Sequence, residues 1–110
     1  MNCIQLCATG EVQKVCIEEN ELHIHLGGSV TFVGVLEEGN VVAVGRCEAS
    51  HAHPNAFCAM FGFDEIFSDV ILVERDKEGV PTSMATNFRE QLVKKIKEES
   101  KNISAFSSPK

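Results

Sequence analysis

Two valine-rich runs, 29-SVTFVGVL-36 and 41-VVAVG-45, flank Glu37-Glu38-Gly39-Asn40, and this pattern restricts the chain more than any other stretch. β-Branched and aromatic side chains fit a pleated surface, and the valines, Thr31 and Phe32 supply them. Gly39 and Asn40 offer positive φ for a short connection, so the two runs read as an antiparallel hairpin. Gly34 inside the first run marks either a bulge or a place where something packs close to the backbone.

The rest of the chain supplies partners for that hairpin. Met1–Ala8 and Val12–Ile17 read as two further strands around a Thr9-Gly10 turn. Asp69–Glu74 (DVILVE) reads as another, ended by Asp76-Lys77-Glu78-Gly79, and Pro81–Met84 as a short extended piece. Phe57–Phe63 is apolar but contains glycine and suits a cover over one end of a sheet. Glu21–Leu26 (ELHIHL) is ambiguous. Alternation of Leu22, Ile24 and Leu26 with His23 and His25 favours a strand, whereas Asn20 before it and Gly27-Gly28 after it frame a helical turn or two. Phe88, Leu92, Val93 and Ile96 recur at helical spacing, with Asn87 as the expected N-cap and Glu90 three residues on. The expected fold is therefore α+β: a mixed or antiparallel sheet of about five strands packed by one C-terminal amphipathic helix. Residues 1–100 make a single globular domain, and 101–110, with three Ser and one Pro, read as a disordered tail.

At 110 residues such a chain can bury a core without staples. Ten Lys and Arg against sixteen Asp and Glu give a net charge of −6, which disfavours phosphate backbones and anionic lipid as partners. The only basic cluster, Lys94, Lys95, Lys97 and Lys101, is interleaved with Glu98 and Glu99 and reads as a solvated helix face. No stretch approaches the ~18 apolar residues of a membrane span, and no secretory pattern opens the chain. These features place the expected protein in the cytoplasm, binding neither nucleic acid nor membrane, with its five cysteines reduced.

Chemistry-bearing residues concentrate in Cys47–Cys58 (CEASHAHPNAFC). Cys47, His51, His53 and Cys58 offer the donor set of a tetrahedral zinc site, although their spacing matches no familiar finger. His23-Ile24-His25 would set two imidazoles on one face of a strand, but the glutamate that a cupin-type site adds a few residues later is missing. Cys58 or Cys47 as a nucleophile would need His51 or His53 as base and Asp64 or Asp69 to orient it, and nothing around them forms a cysteine-enzyme signature. Gly27-Gly28-Ser29 precedes a strand rather than joining a strand to a helix, so it reads as a turn and not a phosphate loop. No catalytic residues are assigned.

Leu26-Gly27-Gly28, Thr31-Phe32-Val33-Gly34, Asn40–Val44, Pro54-Asn55 and Asp69–Val73 with Asp76 and Gly79 together resemble a small family with no established activity. It is found in algae, in large algal DNA viruses and, more distantly, in phages. The similarity covers roughly residues 22–93. The resemblance implies a structural framework of glycine turns, a hairpin and a terminal helix. The family's middle loop is richer in proline and lacks the two histidines of His51-Ala52-His53.

Three functions follow as expectations. The first is a small non-enzymatic binding or interaction module with a protein partner, or one that self-associates through an exposed strand edge, and with no cofactor. The second is a zinc-binding protein using the Cys47–Cys58 segment. The third is a small enzyme or ligand-binding domain with its pocket under Cys47–Phe63.

Overall fold

Val70, Ile71, Leu72 and Val73 are four consecutive apolar residues, and a strand of that composition has no side that tolerates water. It forms the middle of the sheet. In the computed structural model, which describes residues 1–36, 40–49 and 52–107 with side chains through residue 101, the strands are β1 (Asn2–Leu6), β2 (Val12–Cys16), β3 (Val30–Val35), β4 (Val41–Arg46), β5 (Val70–Arg75) and β6 (Pro81–Thr82). The order is β2-β1-β5-β4-β3, every pairing is antiparallel, and β6 pairs with the far end of β5. Two sequence-local hairpins, β1–β2 and β3–β4, thus flank a strand drawn from later in the chain. Six strands form where about five were expected, the sixth being two residues long.

Among the described residues three α-helices accompany the sheet: α1 (Leu22–Leu26), α2 (Ala56–Phe61) and α3 (Thr86–Ser107). α3 lies against β1 and β2 and meets α2. Its Leu92, Val93 and Ile96 cover Ile4, Leu6, Val41, Ala43, Val70 and Leu72, together with Phe57 of α2. Burying each large aliphatic side chain contributes about 1.5–3 kcal/mol, so this face carries most of the stabilisation. Asn87 lies within α3, whose first residue is Thr86. The helix is continuous through Ser107, so the tail expected over 101–110 begins inside its last turns; 108–110 lie outside the described residues.

ELHIHL is helical. A 3-10 turn, Glu19–Glu21, leads into α1, and Gly27 ends it at φ 85°. The alternating pattern favoured a strand, but the buried residues are Leu22 and Leu26, four apart and stacked on one helical face, while Ile24 is 69% exposed. Gly27 decides the outcome: its left-handed conformation lets Gly27 and Gly28 N–H close back onto His23 O.

Gly34 serves both purposes suggested for it. Phe32 pairs with Val44 and Gly34 with Ala43, so one extra residue is inserted in β3. A Cβ at Gly34 would lie 2.3 Å from the Phe63 ring. The bulge also resets the alternation: Val30, Phe32 and Val35 all stand on the face opposite α3, where Val35 would otherwise turn inward. The turn at 37–39 lies outside the described residues.

Candidate functional site

The Cys47–Cys58 segment is divided by the fold. Asn55 caps α2, its Oδ1 accepting from Phe57 N–H at 2.9 Å. That places Cys58 within α2, 2% exposed. Cys47 sits just past the end of β4 and is exposed, as is His53. His51 lies outside the described residues. Among the described residues no three of His, Cys, Asp and Glu come together as a metal-holding group. Burial pushes the Cys58 thiol up from its ordinary value, and a thiol held in its protonated form is a poor nucleophile.

Asn55 is the residue whose weight the sequence did not reveal. It is 1% exposed. Its Nδ2 donates to Leu6 O at 2.9 Å and to Ser68 O at 3.0 Å, and its own N–H donates to Ile66 O at 2.8 Å. It ties α2 to the end of β1 and to the approach to β5. The N-cap preference of Asn is a readable signal; its two remote carbonyl partners are not.

A second polar group forms beneath α1. His25 Nε2 lies 2.7 Å from Gln5 Oε1, and Gln5 Nε2 donates to Asp69 Oδ2 at 2.8 Å. Asp69 Oδ1 accepts from Ala8 N–H at 2.8 Å. Because an amide oxygen only accepts, the His25 proton sits on Nε2. The chain joins α1, β1 and the start of β5, so His25 pins the short helix to the sheet. His23 is exposed. Nearby Cys7 has its thiol pushed up, first by burial and then by Asp69 and Glu11, so the cluster holds no activated nucleophile.

A cleft of about 300 Å³ lies at the other end of the sheet, away from Cys47–Phe63. It is bounded by Val35, Val42, Arg75 and the Asp76–Gly79 turn. Arg75 and Lys77 stand there beside Asp76 and Glu78, so opposite charges offset each other at its rim.

What remains is the face opposite α3. Cys3, Val42, Ile71 and Val73 are sealed by Leu22 and Leu26 of α1. Beyond that small cover, Phe32 is 59% exposed, Val35 52% and Val30 39%. All three belong to β3, the last strand on that side of the sheet. Cys47 N–H donates to Ser29 O and Leu36 N–H to Val41 O. These bonds fix the phase of the ladder: the backbone at Ser29, Thr31, Gly34 and Leu36 turns toward β4, and at Val30, Phe32 and Val35 it turns outward. The same three residues present both their side chains and their backbone groups.

The other edge is different. β2 carries Gln13 and Lys14 in water, and Lys14 Nζ lies 2.6 Å from Glu90 Oε2 of α3. An edge lysine is a common guard against strand addition; β3, VTFVGV, contains no charge.

This is a small antiparallel α+β protein. No helix among the described residues is long and apolar enough to cross a membrane. No family model, curated protein or solved structure matches the chain.

Proposed function

We propose that this protein is a non-enzymatic interaction module that works through the β3 edge and the apolar side chains beside it. The observation that carries the reading is Phe32: a large aromatic, 59% exposed, on an uncharged strand whose outward backbone groups are set for pairing. Strand addition draws its strength from main-chain hydrogen bonds and its selectivity from alternate side chains, and β3 offers both on the same residues. The thiols of Cys3, Cys7 and Cys58 are buried and pushed up, and the His25–Gln5–Asp69 chain is engaged in bracing α1; both leave binding as the chemistry best supported. The zinc reading on Cys47, His51, His53 and Cys58 draws no support from the described geometry.

A photo-crosslinking amino acid placed at Phe32, and separately at Gln13 on the guarded edge, tests this. Under cellular conditions, adducts of defined mass are expected from position 32 and not from position 13. No adduct at 32, or equal adducts at both positions, would overturn the reading.

A further inference from the structure

We infer that the partner of the β3 edge is a second copy of this chain, paired antiparallel about a two-fold axis at Thr31; this rests on the interaction-module reading above. The register follows from the strand itself. Outward backbone groups stand at Val30 and Phe32, two residues apart, and the inserted residue after Phe32 breaks the spacing before Val35. In an antiparallel pair, residues that exchange both hydrogen bonds face each other. When β3 meets a copy of itself, one register satisfies Val30 and Phe32 together: Val30 opposite Phe32 of the other copy, and the reverse, with Thr31 facing its counterpart on the axis.

The side chains agree with that register. A two-fold axis perpendicular to the sheet keeps each face on its own side, so Val30 and Phe32 meet across the junction on the exposed apolar face, twice over. Aromatic against β-branched is a favourable cross-strand pair. Thr31 pairs with Gly45 and so lies on the opposite face, where Thr against Thr is again favourable. No charge lies in β3 to be buried or repelled, although each copy carries a net charge of −6. A foreign strand would need matching side chains at two positions; a second copy has them by symmetry.

Size sets the strength. The contact covers three residues of strand and the exposed parts of two side chains per copy, with Val35 near its rim. It falls below the roughly 1,200 Å² of ordinary stable interfaces, so the dimer is a weak, concentration-dependent one, in the micromolar range or weaker.

Sedimentation of the full chain from about 10 µM to about 1 mM reads this directly. The expected result is a mass rising from 12.0 kDa toward twice that value, with Val30 and Phe32 amides exchanging more slowly as concentration increases and Lys14 unaffected. Phe32→Lys is expected to remain at the single-chain mass throughout while keeping its circular dichroism and its thermal midpoint at low concentration. A wild-type chain that stays monomeric at the highest concentration, or a dimer that Phe32→Lys leaves intact, would overturn the inference. Crosslinks from position 32 to a different protein would overturn the self-pairing while leaving the interaction module standing. Absence of any adduct removes both.

Discussion

Val41 and Val42 are neighbours on β4 and both are buried, yet they belong to different halves of the molecule. Val41 joins Ile4, Leu6, Val70 and Leu72 beneath α2 and α3. Val42 joins Cys3, Ile71 and Val73 beneath the one-turn α1. Both sheet faces are apolar near the centre, and what separates them is the length of the cover. α3 brings Leu92, Val93 and Ile96 across β1 and β2, and α2 with Phe63 and Ile66 reaches the far strands, so that face is closed. α1 brings only Leu22 and Leu26, and the apolar surface runs on past it to Val30, Phe32 and Val35. One face is a finished core; the other is a core whose apolar surface continues into water at Val30, Phe32 and Val35.

The sharpest test of that contrast removes a side chain from each cover. Ile96→Ala, at 1% exposure against the central strands, is expected to cost about 2–5 kcal/mol in chemical unfolding. Leu26→Ala, at the margin of the smaller cluster, is expected at the low end of that range, about 2 kcal/mol, because solvent can relax into the site. If the two cost the same, α1 closes its face as fully as α3 does, and the contrast fails.

Asn55→Ala comes next, at about 2–3 kcal/mol: roughly one for the lost cap and the remainder for Leu6 O and Ser68 O left buried without their donor. Asn55→Asp preserves the cap but turns an oxygen toward those two carbonyls, and it should be no better tolerated. A mild effect from both, measured by urea midpoints, would mean that α2 docks through Phe57 alone.

Much of the closed face was legible in advance. The five β-rich runs, the apolar spacing of Phe88, Leu92, Val93 and Ile96, and the glycine within β3 all encode their roles locally. The α+β architecture followed from them, with the sheet left as mixed or antiparallel; the pairings make it antiparallel throughout. What was hidden depends on contacts between distant residues. ELHIHL satisfies the strand period as well as the helical one; Gly27 closes it as a helix, and Gln5, twenty residues away, ties that helix to the sheet through His25. The weight of Asn55 was hidden because its carbonyl partners are 49 and 13 positions away. Cys47 and Cys58 looked like a pair because they flank one loop, but the N-cap at Asn55 turns Cys58 inward while Cys47 stays in water. The inserted residue was suggested by Gly34, yet its consequence, a third apolar residue on the open face, needs the β4 register to be seen.

Thiols offer a smaller, chemical probe of the same geography. Cys3, Cys7 and Cys58 are buried and Cys16 and Cys47 exposed. A native disulfide-exchange titration is expected to count two fast thiols and to release the other three only on unfolding. Burial raises the three inner thiols above their ordinary value of 9.0. The folded state therefore holds these protons more tightly than the unfolded chain. Their contribution is complete below the ordinary value of 9.0 and is lost as the pH climbs above it, because the unfolded thiols ionise first. A stability profile flat to pH 10 and above would mean that those thiols are hydrated in the native state.

The smallest expected change is the most informative about the open face. Phe32→Thr keeps a β-branched residue on β3 and removes an aromatic ring from water, so at micromolar concentration folding stability should move by no more than about 0.5 kcal/mol. Phe32 pairs with Val44, which is itself only half-buried, so little packing is lost. A buried Phe in the same strand would cost about 3–5 kcal/mol on truncation, several times the expected figure. A large loss at low concentration would show that the ring completes the fold of the single chain and that the face is already closed. A loss confined to high concentration would locate the value of Phe32 between molecules, in line with the pairing proposed for the β3 edge.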